Sequence, residues 1–438
     1  MTRSSGARMA ALSLFALALG AAPAQGDTRA TVAPGPRAGQ VPAGAVVARS
    51  FEELQALVSD PAGPATISVS GTLRGDLVVR RPVAIVGQPG AALEGTGTGT
   101  VLRIDAKDVR VEDLVVRRSG HRHTTEDAGV HATGERVHLR RLRVEETLFG
   151  ISLAACKSCG IEGAHVVGYA DDTELRGDGV KLWESDDSVV RDSLLERSRD
   201  LVVWYTKRAL LVGNTVRHSR YGSHFMYAHD AVVRDSRMES NVVGVFVMYS
   251  MRVKIEHNVL AGARGAAGIG LGFKDSDAVE VKGNWLVANT AGAYFDNTPR
   301  VTNQPVHFDD NVVALNEVGL RLHGYEDGLH VRRNDFRENA VLVEVDGGGD
   351  AHKVGVRGNH YSDYEGYDLD RDGVGDVAYE MKTLSRDLTD ARPALKYFQG
   401  TAAMGVIDAV AHAVPVFAAR RLWVDPAPAF GRLHQEAP

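Results

Sequence analysis

The chain has 438 residues and a net charge of -6, with no basic tail or stripe, so it carries no electrostatic footprint of nucleic-acid binding. Aromatic residues make up only 6% while glycine numbers 47, a balance that disfavours a helical bundle and suits many short strands joined by tight turns. The length allows one large domain or two ordinary ones.

The first element in chain order is a secretory signal over residues 1–24. Arg3 and Arg8 supply the positive end, Met9 to Ala21 the short apolar run, and Ala22-Pro23-Ala24 a small-residue cleavage site. That run is too short to span a bilayer, and no later window offers about 20 uninterrupted apolar residues. The expectation is an exported, periplasmic, soluble protein with no membrane span of its own. Residues 25–48 are rich in Pro, Ala and Gly and read as a flexible leader. Ser50 and Glu53 then form a capping box opening a helix whose Phe51, Leu54 and Leu57 share an apolar face. Such a helix would cover an otherwise exposed strand edge.

From there to residue 380 a repeat runs through the chain, in the pattern apolar-x-apolar-x-x-(N/S)-x-apolar. VKIEHNVL, VEVKGNWL, VHFDDNVV and LHVRRNDF show it clearly. Its marker falls at Leu114, Leu142, Ala164, Ser193, Asn214, Ser236, Asn258, Asn284, Asn311, Asn334 and Asn359. Short strands at such intervals cannot bury a core singly but bury one continuously when stacked. The fold class is therefore all-β, a parallel β-helix over residues 49–380; an irregular β-sandwich would need no marker asparagine. The asparagines are expected to hold left-handed backbone at turns and to bond their own neighbours. Cys156 and Cys159 in CKSC read as a local disulfide in an oxidising compartment, with a metal or redox dithiol left open.

Three successive coils align as RDLVVWYTKR, YGSHFMYAHD and VGVFVMYSMR. Side chains alternate faces along a strand, so Leu201, Val203, Ser223, Phe225, Val245 and Val247 point inward. Trp183, Trp204, Met226, Met248, His224 and Phe246 then face outward, with Tyr205, Tyr227 and Tyr249 at the strand ends. An apolar ladder on the outside of a solenoid marks a contact surface. The same residues suit a soft cation. Rungs about 4.8 Å apart bring Met226 and Met248 toward one ion beside His224, with His229 and Met251 one column further on. Thioether and imidazole donors fit Cu(I), whereas methionine as adaptable filler at a protein contact is the other reading. His121, His123 and His131 fall in or after an inserted loop and read more simply as solvated surface.

Near the end, YEGYDLDRDGVGD places Asp368, Asp370 and Asp372 at alternate positions before Gly373, with Asp376 beyond, similar to a calcium loop. The closing glutamate of such a loop is replaced by Tyr379, with Glu380 one place late. Residues 381–438 read as a broken amphipathic helix over 393–417 followed by a Pro-rich tail from Trp423 to Phe430.

Taken together, GDGVKLW, DLVVWY, YGSHFMY, VGVFVMYS, GLGFKDSD and NHYSDYEGYDLDRDGVGD resemble the NosD family of periplasmic accessory proteins. The resemblance implies a right-handed parallel β-helix without enzymatic activity. It implies work alongside a membrane ABC transporter and a copper-chaperone lipoprotein in assembling the copper centre of nitrous oxide reductase. It also implies that the C-terminal segment docks on the transporter, and it supplies no copper ligand set. Two rivals stand beside it. A polysaccharide lyase, hydrolase or epimerase would use an outward carboxylate and base, for which Lys274, Asp296 and His323 share one column. A structural adhesin would have no reason to cluster soft ligands.

Overall fold

The computed structural model describes residues 43–169, 172–324, 327–346, 351–382, 388, 392–398, 401–413 and 421–435. The signal segment and most of the leader lie outside them. From Thr66 to Tyr361 strand follows strand in a cycle of three, and every third strand pairs in parallel; with the first strand added to one edge, this gives sheets of 14, 12 and 13 strands. The result is a parallel β-solenoid of about 13 turns, with Val, Ile, Leu and Phe side chains filling its bore. Its first strand, Val46–Ala48, begins inside the stretch expected as leader and pairs with Thr66–Val69. Next comes helix α1 (Phe51–Ser59). The Ser50 side chain caps the Glu53 amide, the Glu53 carboxylate accepts from the Arg49 amide at 2.7 Å, and Leu54 and Val58 are buried.

The corners explain the marker residues, and they correct the role expected for asparagine. The left-handed conformation belongs to the residue before each marker: Asp192, Gly213, Asp235, His257, Gly283, Asp310, Arg333 and Gly358 all have positive φ. The marker itself turns into the bore and is fully or almost fully buried. Asn284 is representative. Its Oδ1 accepts the Asn258 backbone amide at 2.9 Å, and its Nδ2 donates to Ile255 O at 2.7 Å and to Asn311 Oδ1 at 3.0 Å. The chain turns too sharply there for its own amide to find a ladder partner, and a buried unpaired amide costs about 1–3 kcal/mol. Asparagine supplies acceptor and donor together. A second such column, Asn289, Asn316 and Asn339, lines another corner. Non-glycine residues in left-handed backbone are themselves costly. On several corners they pair with one another across coils, as in Arg208–Asp187, Arg252–Asp230 and Arg333–Asp310.

The Pro-rich end of the C-terminal segment packs onto the solenoid. Residues Arg421–Asp425 pair antiparallel with Tyr379–Lys382, and Trp423 is fully buried. The reason lies in the asparagine column. Among the described residues no further coil follows Asn359, and the Asp425 carboxylate takes the place of the next marker. Its Oδ2 accepts from Asn359 N at 2.9 Å, Asn359 Nδ2 at 3.0 Å and the Tyr361 hydroxyl at 3.1 Å. The tail continues along the body, where the Leu433 and His434 amides donate to the buried Asp335 carboxylate. Helix α2 (Ala402–Ala413) lies between these anchored segments; it buries Met404 and exposes Val406 and Val410. No helix among the described residues is long and apolar enough to cross a membrane. Cys156, near the end of the strand Phe149–Lys157, and Cys159, just past it, form a buried disulfide.

Replacing Asp425 by alanine strands several buried donors at once. The variant is expected to lose about 3 kcal/mol of stability, read as a lower midpoint in chemical denaturation. An unchanged midpoint would show that the tail does not close the solenoid.

Candidate metal centre and aromatic face

The 12-stranded sheet carries the longest strands, and its outer surface holds the residues singled out above. Register fixes two columns across adjacent coils. One runs Lys181, Val202, His224, Phe246, Gly272; the other runs Trp183, Trp204, Met226, Met248, Lys274. The bore-facing partners Leu182, Val203, Phe225 and Val247 are fully buried. Trp183, Trp204, Met226 and Met248 are half-buried on the outside, so the alternation places them as parity requires. Val202 faces the same way yet is fully covered by its neighbours.

His224 is the most enclosed of the set, at 8% exposure. The Tyr221 ring stacks on it at 4.7 Å between centroids, and Trp204 meets it edge-on at 5.4 Å. Phe246 stands one rung above, its ring tilted over Gly272, where any Cβ would lie 2.4 Å from ring carbons. Glycine is required there for the aromatic wall to close. Within this box His224 Nε2 lies 3.4 Å from Met248 Sδ. A tetrahedral ion with bonds of about 2.0 Å to nitrogen and about 2.3 Å to sulfur needs donors roughly 3.5 Å apart. The imidazole and thioether are thus spaced as a chelate bite, with Met226 directly between Trp204 and Met248 in the column.

The remaining soft donors are placed differently. His229 and Met251 lie past the corner formed by Tyr227 and Tyr249, and His229 Nδ1 accepts the Met251 backbone amide at 3.2 Å. Burial lowers the His229 imidazole's pKa, and nearby Arg252 adds to the effect. Among the described residues no hydrogen bond or ring contact joins this pair to His224, Met226 or Met248. The three corner tyrosines stack in a row, Tyr205 on Tyr227 at 5.2 Å and Tyr227 on Tyr249 at 5.1 Å, with Trp183 5.1 Å from Tyr205. Tyr205 and Tyr227 are each 42% exposed. The same left-handed position is Glu184 on the coil below and Asp275 and Asn297 on the coils above, so the corner does not need an aromatic residue.

Sequence reasoning passed over Asp200 and its partner Arg220. Asp200 is fully buried at the start of the strand Asp200–Trp204, and Arg220 grips its carboxylate at 2.9 and 2.5 Å. Burial pushes this carboxyl up, but His224 and Arg220 beside it pull harder and hold it below the ordinary aspartate range. A buried acid repeated one coil down, Asp178 with Arg199 at 2.9 Å, is the signal that was available.

In the acidic loop Asp368, Asp370 and Asp372 bring one oxygen each within 4.8 Å of one another, while Asp376 is engaged elsewhere, accepting the Leu369 amide at 2.7 Å. Glu380 pairs with Arg421 at 3.2 Å. Of the residues suited to acting on polysaccharides, Lys274 Nζ is spent on Asp296 Oδ2 at 2.6 Å, and His323 faces Asp346 at 3.6 Å.

Fold and face define a class: an all-β parallel solenoid carrying a recessed imidazole–thioether pair on an aromatic outer sheet. Residues 157–366, which include the pair, match the family described as "Periplasmic copper-binding protein (NosD)". A "Probable ABC transporter binding protein NosD" of Stutzerimonas stutzeri is 24% identical over 377 residues, covering 79% of this chain and 82% of that protein. Its namesake in Pseudomonas aeruginosa is 26% identical over 345 residues, covering 71% and 75%. Over residues 157–366 the chain thus matches the NosD family model. Among solved structures, the A-module of the Azotobacter vinelandii mannuronan C-5 epimerase AlgE6 superposes with a TM-score of 0.52 at 14% identity. That match covers 74% of this chain and 97% of the module, and is a likeness of fold alone.

Proposed function

We propose that this chain is a periplasmic accessory protein that handles Cu(I) transiently on its outer aromatic face and does so without catalysis. The observation that carries the reading is the 3.4 Å separation of His224 Nε2 and Met248 Sδ inside an aromatic box. Imidazole and thioether are donors of the softness Cu(I) prefers, and Met226 adds a second sulfur within reach. His229 and Met251, around the corner, offer the next donors along a path for a cargo ion. The family's description as copper-binding supports the metal.

The relatives' description as transporter-binding supports an ABC transporter as partner. The exposed tyrosine row beside the pair, with Trp183, Trp204 and Phe246 behind it, is the surface we assign to the protein that exchanges copper, a copper-chaperone lipoprotein. The exposed apolar residues of α2 are assigned to the transporter. The end served is assembly of the copper centre of nitrous oxide reductase. Polysaccharide chemistry has less behind it, because Lys274 and Asp296 neutralise each other and the neighbouring face is apolar.

A Met226→Ala, Met248→Ala double variant is expected to lose Cu(I) binding in titration against a Cu(I)-selective chelator. Unchanged affinity would move the ion elsewhere.

We also propose that Asp368, Asp370 and Asp372 hold a hard cation of the calcium type. Their oxygens cluster, and Asp368 Oδ1 is buried without a hydrogen-bond partner. The loop bonds to the closing tail, Gly375 N to Pro428 O at 2.8 Å and Phe430 N to Gly373 O at 2.9 Å, so the ion's role is structural. Calcium is expected to raise the melting temperature, and Asp370→Ala to remove that rise. An equal response in the variant would exclude the loop as the site.

A further inference from the structure

We infer that Asp200, held by Arg220, is a positioning residue that keeps the proton of the His224 ring on Nδ1 and so presents a bare Nε2 to the metal beside Met248. The inference rests on the reading of the His224–Met248 pair as a copper site and deepens it.

The geometry is asymmetric about the imidazole. Nε2 faces the Met248 sulfur at 3.4 Å. Nδ1 is buried without a hydrogen-bond partner, and Asp200 Oδ2 stands opposite it at 3.8 Å. That carboxylate is not free to turn away. Arg220 Nε and its guanidinium amine take one oxygen each, and the Tyr221 amide donates to Oδ1 at 3.3 Å. Three donors therefore lock its plane with Oδ2 3.8 Å from Nδ1, too far for a direct hydrogen bond but near enough for the carboxylate charge to favour a proton on that nitrogen. The ring is held from its other sides by Tyr221 stacked on its face and Trp204 against its edge, so it has little room to flip.

A register irregularity between Asp200 and Val202 creates this arrangement. The strand Tyr221–Met226 carries one residue more than its partner over the same span, Tyr221 lying opposite Asp200 and His224 opposite Val202. The extra residue brings the histidine diagonally above the acid. On the coil below, Asp178 and Arg199 form the same kind of corner pair, but the column position there is Val202 and no imidazole stands over it. The acid–arginine pair is thus a device of the fold that the His224 coil turns to a second use.

The chemistry follows from the donor inventory of histidine. A neutral ring has one N–H and one lone pair, and whichever nitrogen lacks the proton is the ligand. Without that charge near Nδ1 the ring would place its proton on Nε2 and donate it to Met248 sulfur, closing the site against a cation. An outer carboxylate of this type fixes ring and tautomer, and its loss generally weakens metal binding by about 10–100-fold.

Two measurements test this. In the metal-free wild type, nitrogen-15 NMR of labelled histidine should show the His224 proton on Nδ1, and in Asp200→Ala on Nε2. Cu(I) titration should show a fall in affinity of about 10–100-fold in Asp200→Ala, and no recovery in Asp200→Asn, whose amide oxygen is claimed by Arg220 Nε and the Tyr221 amide so that its NH2 group faces Nδ1. A neutral wild-type ring protonated at Nε2, or equal affinity in wild type and Asp200→Ala, would overturn the inference. The wild-type NMR measurement needs neither metal nor variant, so it decides the proton's place even if the wild type fails to bind Cu(I), a result that would instead overturn the copper reading itself.

Discussion

The structure depends on how buried backbone amides are satisfied at the corners of each coil. Short strands and abrupt turns leave one amide per corner pointing into an apolar bore, and a side chain from the next coil must meet it. The columns from Ser193 to Asn359 do this coil after coil, with the Asp425 carboxylate closing the end. Because each marker bonds a fixed neighbour, the register of adjacent coils cannot slip by one residue without stranding donors along the whole stack. The register fixes the parity of every strand, and parity decides that Met226 and Met248 lie outside while Phe225 and Val247 lie within.

The face to which we assign copper is therefore a consequence of the scaffold's rigidity. A thioether and an imidazole brought together from successive coils need no loop to close on them. The aromatic wall, Trp204, Tyr221 and Phe246, limits the water that reaches the pair and leaves a weak, soft donor set. Such a site favours a monovalent copper ion over harder cations, and two or three soft ligands at a half-exposed face are compatible with release. The tyrosine row beside it presents aromatic surface where neighbouring coils carry Glu184, Asp275 and Asn297. The copper and contact roles we propose for this one surface are compatible already at the level of residue type.

Much of this was legible in the sequence because period two is local. Counting along DLVVW, SHFM and VFVM suffices to sort bore from surface, and the marker spacing suffices to recognise a stacked repeat. What was not legible depends on contacts between distant segments. The marker asparagines were assigned to left-handed backbone, but that conformation lies one residue earlier and the asparagine's work is bonding across coils. Asp425, more than 60 residues from Asn359, substitutes for a missing coil, and a Pro-rich tail gives no local sign of that. Asp200 escaped notice because its place beneath His224 comes from an extra residue in the next strand, which alignment by hydrophobic pattern absorbs silently. His229 and Met251 were placed one column further on along the same strands, but a corner intervenes.

Copper K-edge absorption on the Cu(I)-loaded protein tests the central claim most directly. Both cysteines are tied in the disulfide, so any sulfur bound to copper must come from methionine. A mixed shell of imidazole nitrogen at about 2.0 Å and sulfur at about 2.3 Å is expected, with the sulfur contribution reduced in Met248→Ala. A shell of nitrogen and oxygen alone, identical in wild type and variant, would contradict it.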